Sequence, residues 1–225
     1  MAGVFVTGTG TDVGKTFVTA ALVRHLRAAG KMVDAFKPVV SGFDAQTIAG
    51  SDPDVLLSAL GCPSTMEEVQ RISPWRFSAP LSPDLAAQHE GRALPFPDLV
   101  DFTRDALSAP GANFIEGVGG IMVPLDQTHT VLDWMSAVRA PVLVVAGSYL
   151  GTISHTLTAL HVLAHRNLEI AGVVASESAV PGANLEQTVA AIARFAVSID
   201  VIGLPRLPPG APEPSDLMSR IERWF

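Results

Sequence analysis

Cysteine is almost missing from this sequence: Cys62 is the only one in 225 residues. A lone thiol cannot close an internal disulfide, so the chain reads as one that folds without such bridges in a reducing compartment, the cytosol. No Cys/His spacing suggests a zinc site. His161 and His165 stand four apart on a predicted helix, but no acidic residue lies between them, and they read as surface or packing histidines. Charge is scarce too. Only 16% of the residues are charged, below the usual quarter, and the net charge is −7. That balance excludes a broad polyanion-binding surface, and with it nucleic acid as a partner. No apolar run reaches membrane-spanning length, and the first one starts at Val4 with no charged leader before it. The expectation is a soluble protein with no membrane partner.

What is abundant is hydrophobic residues, at 48%. A chain of this length suits one domain, residues 1–225, with a large core and apolar surface to spare for a subunit interface. Short apolar runs rich in β-branched residues are predicted as strands at Val4–Thr7, Met32–Pro38, Asn113–Glu116, Pro141–Ala146, Ile170–Ala175 and Val201–Leu204. Most are apolar throughout, as parallel strands covered on both faces are. Helical patterns lie between them at Lys15–Ala29, Pro53–Leu60, Pro95–Leu107, Thr130–Val138, Thr152–His165, Asn184–Ala196 and Ser215–Trp224. Such alternation predicts an α/β fold: a mostly parallel sheet with helices on both faces and ligands beyond the carboxyl ends of the strands. Two stretches break the rhythm. Cys62–Arg92 has no clear strand and reads as irregular cover over the site, and the Pro-rich Leu204–Ser215 reads as an extended loop.

The first strand runs into Gly8-Thr9-Gly10-Thr11-Asp12-Val13-Gly14-Lys15-Thr16, where a helix pattern begins. Strand, glycine-rich loop and Gly-Lys-Thr at a helix start are what a phosphate-binding loop needs. Glycines let successive backbone N–H groups converge on an anion, and the helix adds its positive end. Lys15 would reach the β- and γ-phosphates, and the Thr16 hydroxyl would hold Mg²⁺. Gly8 lies one residue farther from Gly14 than the usual pattern allows, so the loop is a longer variant. A dinucleotide fingerprint is excluded, because Val13 stands where its third glycine belongs. The chain is therefore expected to bind a nucleoside triphosphate.

Other polar residues collect where strands end. Lys37 stands at the carboxyl end of the second predicted strand and is locked by Pro38, which suits either a lysine aimed at the phosphates or one snorkelling at the sheet's rim. Ser51-Asp52-Pro53-Asp54 reads as a helix start with Asp52 as the N-cap. Glu116 ends a strand just before Gly117-Val118-Gly119-Gly120, a position from which acidic residues reach Mg²⁺. Gly147–Thr152 forms another strand–loop–helix junction, with N–H groups for a second anion.

These blocks together resemble the dethiobiotin synthetases over nearly the whole chain. The marks are Val6-Thr7-Gly8-Thr9-x-Thr11-Asp12-Val13-Gly14-Lys15-Thr16, Lys37-Pro38-Val39-x-Ser41-Gly42 and Ser51-Asp52. After them come Ser82-Pro83 with Glu90-Gly91-Arg92, Glu116-Gly117-x-Gly119-Gly120 with Pro124-Leu125, and Leu150-Gly151-Thr152-Ile153-x-His155. The resemblance implies a P-loop α/β sheet, usually a homodimer. It also implies ATP- and Mg²⁺-dependent closure of a cyclic urea on 7,8-diaminononanoate with CO₂, in biotin synthesis. It gives catalytic roles to Lys37, Lys15 and Thr11, and metal contacts to Thr16, Asp52 and Glu116. ATP contacts are implied at Asp12, Val13, Gly14, Lys15, Thr16, Asp52, Glu116, Gly117, Val118 and Gly119. The base would be met at Ser176, Glu177, Leu204, Pro205 and Arg206. Ser41 would meet the diamine, and Leu150, Gly151, Thr152 and Ser154 the substrate carboxylate, with this last group supplied by the partner subunit.

Two departures stand out, and one ambiguity. The family commonly reads adenine with an Asn where this chain has Ser176, and often has Asn where Ser154 stands. Asp54 lies close enough to rival Asp52 as a metal ligand, although the spacing to Val55-Leu56 favours Asp52. The competing function is a regulatory partitioning ATPase of the same superfamily, which acts through protein partners. Its phosphate loop carries a second lysine near the start, and Thr9, Gly10 and Thr11 supply none. A cobalamin-type amidation enzyme would need a glutaminase domain that has no counterpart in this sequence.

Overall fold

The computed structural model describes residues 3–179, 182–208, 211 and 213–224. In chain order the elements are β1 (Val4–Gly8), α1 (Lys15–Ala28), β2 (Val33–Phe36), β3 (Val39–Ser41), α2 (Asp52–Leu60), α3 (Met66–Ile72), β4 (Trp75–Phe77), α4 (Pro83–His89), α5 (Phe96–Ser108), β5 (Ala112–Glu116), α6 (Val131–Val138), β6 (Val142–Ala146), α7 (Thr152–His165), β7 (Ile170–Ser176), α8 (Leu185–Phe195), β8 (Val201–Leu204) and α9 (Ser215–Glu222). Six strands make one sheet in the order β2-β5-β1-β6-β7-β8, every pair parallel. Helices flank it: α1 packs on α2 and α9, α5 on α6, and α7 on α8.

β1, β5 and β6 are buried at every residue, which is why their sequences are apolar runs without alternation. Phe5 of β1 meets the edge of the Trp134 ring at 4.7 Å, and the Trp134 indole N–H donates to Thr103 Oγ1 at 3.0 Å. A buried indole N–H needs such an acceptor, so this bond fixes α6 against α5 under the centre of the sheet.

β1 lies between β5 and β6, while the chain crosses from β1 to β2 on the far side of β5. The strand order therefore reverses at β1, and a crevice opens at its carboxyl end. Register decides what faces it. Val6 pairs with Glu116 and Phe36 with Ile115, so Lys37, one residue past Phe36, comes level with Glu116.

The second strand is shorter than its apolar run predicts. The Lys37 N–H donates to the Ile72 carbonyl rather than along the sheet, and Pro38 has no N–H to give. The chain steps out of the main sheet and restarts as β3, which pairs in parallel with β4. Cys62–Arg92, expected to be irregular, thus holds α3, β4 and α4, with the bends near Pro80 left as the irregular part. The helix at Pro53 also starts differently. Ser51 is the N-cap, its Oγ accepting from the Asp54 N–H, and Asp52 is the first helical residue with its carboxylate free for other work. Part of the Pro-rich segment 204–215 falls outside the described residues.

Candidate active site

The phosphate loop leaves β1 and enters α1 through Gly14, whose φ is 94°. A side chain there would be strained, and its Cβ would stand 2.8 Å from Ser176 Oγ, so glycine is required twice over. Asp12 also adopts a left-handed conformation, with φ 56°, which Asp tolerates better than most residues. Val13 turns inward as a core residue. The first turn of α1 has no side-chain cap and no acidic residue, so its N–H groups and positive end face the crevice uncompensated.

A cavity of about 620 Å³ opens here. Thr11, Asp12, Gly14, Lys15, Thr16, Lys37, Ser41, Asp52, Val118 and Gly119 line it, together with Phe17, Val123 and the segment Pro80–Pro83. At its wall, with wholly buried Glu116 behind the lining residues, lies a compact charge cluster. The Lys37 ammonium donates to Glu116 Oε1 at 2.6 Å and pairs with Asp52 Oδ2 at 2.7 Å. The Thr16 hydroxyl donates to the same Glu116 oxygen at 2.7 Å, and the Lys15 ammonium donates to the Gly10 carbonyl at 2.7 Å. Glu116 is wholly buried, yet its Oε2 has no partner among the described residues. Ser41 Oγ is likewise buried and unpartnered at the cavity wall. Asp54, the rival acid, faces away: it accepts from the Gly50 N–H and the Ser64 hydroxyl.

Environment separates the two lysines. Burial, then the neighbouring Lys37 charge, pushes the Lys15 ammonium down to about 8. Burial also works against the Lys37 ammonium, but Glu116 and Asp52 overcome it and hold that group above the usual lysine range. Asp52 follows the same logic. Burial would raise it, but the Lys37 charge and the hydrogen bond from Lys37 hold it below the ordinary carboxylate range.

The remaining sequence-predicted residues fall into two groups. Ser176 and Glu177 leave β7 beside the phosphate loop. The Glu177 N–H donates to the Leu204 carbonyl at 2.9 Å, and the Arg206 N–H to Glu177 Oε2 at 2.8 Å, with Pro205 exposed between them. Gly117 tucks its backbone against the Phe5 ring and does not line the cavity. Leu150, Gly151, Thr152 and Ser154 form a separate depression of about 570 Å³ with Tyr149 and Ala183. Within it Thr152 spends both of its donors on its own turn: N–H to the Tyr149 carbonyl, hydroxyl to the Gly147 carbonyl. Leu150 is 93% exposed. His161 and His165 are exposed, as read from the sequence. The cavity wall at Pro80–Pro83 was legible as a Pro/Ser-rich break in the pattern and, at Ser82-Pro83, as one of the family marks.

A parallel sheet whose central strand feeds a glycine loop, with Lys15 and Thr16 at the following helix start, defines a P-loop nucleotide-binding α/β protein. A family model described as an AAA domain matches residues 2–211. The fold is similar to that of the Pyrococcus furiosus cell division ATPase MinD, with TM-score 0.58, 15% identity, and 100% and 98% of the two chains covered. In sequence the chain is 54% identical over 197 residues to the ATP-dependent dethiobiotin synthetase BioD of Caulobacter sp. strain K31, covering 87% of this chain and 84% of that one. It is 51% identical over 204 residues to the enzyme of the same description from Methylobacterium nodulans, covering 87% and 90%. The chain belongs to the dethiobiotin synthetase family. Among the described residues, no helix is long and apolar enough to cross a membrane.

Proposed function

We propose that this protein is an ATP-dependent dethiobiotin synthetase, which closes a cyclic urea on 7,8-diaminononanoate with CO₂ and releases ADP and phosphate. One substrate amine takes up CO₂ as a carbamate, and a carbamate oxygen attacks the γ-phosphorus of ATP. The second amine then attacks the carbamoyl carbon and displaces phosphate, closing the ring. No side-chain nucleophile is needed. The cavity residues supply position and charge, which is what phosphoryl transfer asks of a protein.

The observation that carries this reading is the pair of buried lysines on one cavity with the uncapped start of α1. Lys15 and the N–H groups of Asp12–Thr16 hold the β- and γ-phosphates. Lys37 meets the charge that builds between carbamate and γ-phosphate. Thr11 and the unpartnered Ser41 hydroxyl hold the diamine or its carbamate. Ser176, Glu177 and the Leu204–Arg206 backbone surround the base.

Magnesium fits the same cavity. Among the described residues no three His, Cys, Asp or Glu side chains gather to hold a metal unaided. Two carboxylates and a hydroxyl converge at Asp52, Glu116 and Thr16, and Glu116 Oε2 is buried with no partner among the described residues. That is the protein share of a site completed by phosphate oxygens. When bound, the metal neutralises charge on the β- and γ-phosphates.

The substrate carboxylate lies a long alkyl chain from the reacting amines. Leu150, Gly151 and Ser154, with the uncapped start of α7, stand apart from the phosphate cavity of their own chain. They serve it from a partner subunit, in a two-fold dimer with two composite sites. Incubation with diaminononanoate, bicarbonate and ATP tests the activity. Dethiobiotin should appear in the mass spectrum with an equal amount of phosphate, and phosphate release indifferent to the diamine would contradict it.

A further inference from the structure

Lys37 is tied to two acids at once. Its ammonium stands 2.6 Å from Glu116 and 2.7 Å from Asp52, and only 5% of the residue is exposed. Those acids and the Thr16 hydroxyl are the groups assigned above to magnesium, so the inference rests on that reading. A magnesium ion wants oxygens at about 2.0–2.1 Å in a near-octahedral shell. Carboxylates gripped by an ammonium cannot offer that shell without setting a dication against a buried monocation. Lys15, on the same cavity wall, adds a further positive charge. Glu116 Oε1 already accepts from both Lys37 and Thr16.

We propose that Lys37 and the divalent cation are mutually exclusive partners of Asp52 and Glu116, so that the lysine withholds these acids from metal until nucleotide arrives and then turns to the phosphates. Metal alone has little to gain here. It must evict Lys37 and leave that ammonium buried without a partner, which is costly. Metal that comes with a triphosphate brings anionic oxygens for the evicted lysine to meet. Lys37 lines the same cavity as Lys15 and Ser41, the one the phosphates would enter. Metal and nucleotide therefore bind with positive coupling, and Lys37 is the group that couples them. The same exchange places Lys37 at the reacting oxygens only when the metal is present, which ties its catalytic position to a loaded site.

Manganese binding, followed by electron paramagnetic resonance, tests this without turnover. Lys37→Met should bind Mn²⁺ in the absence of nucleotide at least about tenfold more tightly than the wild type, and nucleotide should then add less to the affinity. Glu116→Gln placed on Lys37→Met should erase the gain. The Met variant leaves buried Glu116 and half-exposed Asp52 without their ammonium partner, so Lys37→Gln, which keeps an N–H donor, is measured beside it. Melting temperatures give a second readout: millimolar Mg²⁺ alone should raise those of the Lys37 variants and leave that of the wild type unmoved. Variants that bind Mn²⁺ no more tightly than the wild type and gain no thermal stability from Mg²⁺ would overturn the exclusion. If instead Asp52→Asn and Glu116→Gln on otherwise wild-type protein leave Mn²⁺–nucleotide binding untouched, the ligand assignment itself is wrong and the exclusion falls with it.

Discussion

Lys15 sits in a protonation balance unusual for a lysine. Burial first, and then Lys37, brings it to about 8, so near that pH the free protein carries it half neutral. Between about 8 and the ordinary lysine range the unfolded chain holds the proton more firmly than the folded one. Lys15 therefore contributes a stability that rises with pH in that window. Triphosphate binding has the opposite sign. Phosphate favours the charged form, so above pH 8 binding must take up a proton, and affinity should fall by up to about tenfold per pH unit. Calorimetry in buffers of different ionisation enthalpy counts that proton; Lys15→Met should abolish the uptake, and uptake absent from the wild type would contradict the assignment. Ser176 makes a second case at this scale. Its hydroxyl lies against Gly14, at the foot of the phosphate loop, where an amide's paired donor and acceptor are missing. ATP, GTP and CTP should then differ in kcat/KM by no more than about tenfold, the worth of one hydrogen bond. Competition assays decide it, and strict ATP selectivity that survives Ser176→Ala would move the determinant elsewhere. Single residues were legible where their chemistry is local, as at Lys15 and Thr16. Asp52 read as a cap from its own neighbours, Asp before Pro, and was put with the metal only by the family resemblance; the fold shows that Ser51 takes the capping work and leaves Asp52 for Lys37.

Among the elements, the central strands could be read from sequence because burial on both faces leaves an unbroken apolar run, and the long helices because one face is apolar and the other polar. The pair β3–β4 could not. Three-residue strands carry no periodicity, and their pairing follows from Pro38 and the Ile72 carbonyl, which are far apart in sequence. A link between loops was equally hidden. The Ser148 N–H donates to Ser178 Oγ and the Ser178 N–H to Ser148 Oγ, both at 2.9 Å, clamping the loop after β6 to the loop after β7. The first loop leads to α7 and the second carries Glu177, proposed to meet the base, so this reciprocal pair fixes the spacing of two parts of the proposed site. Ser148→Ala or Ser178→Ala should each cost about 1 kcal/mol in denaturant unfolding, and the double variant less than their sum, because either change loosens the whole clamp. Strict additivity would show two independent bonds.

For the whole molecule, the sheet order was beyond the sequence, but its consequence was not: polar residues at strand ends from four segments meet at the β1 switch point. The composite dimer is tested by mixing subunits. Lys37→Gln and Gly151→Pro proteins, each inactive, should regain about a quarter of the sites on random reassortment, since one site of each mixed dimer is intact. A mixture that stays inactive after proven exchange would place the site within one chain. The central claim is that the cavity between the phosphate loop, Lys37 and Glu116 joins a carbamate oxygen to the γ-phosphorus. Freshly dissolved CO₂ labelled in both oxygens with ¹⁸O, quenched within seconds, follows that oxygen directly. One label should appear in the released phosphate and the other in the urea carbonyl of dethiobiotin. Phosphate released without ¹⁸O alongside a labelled product would contradict attack by the carbamate and the roles given to the residues around it.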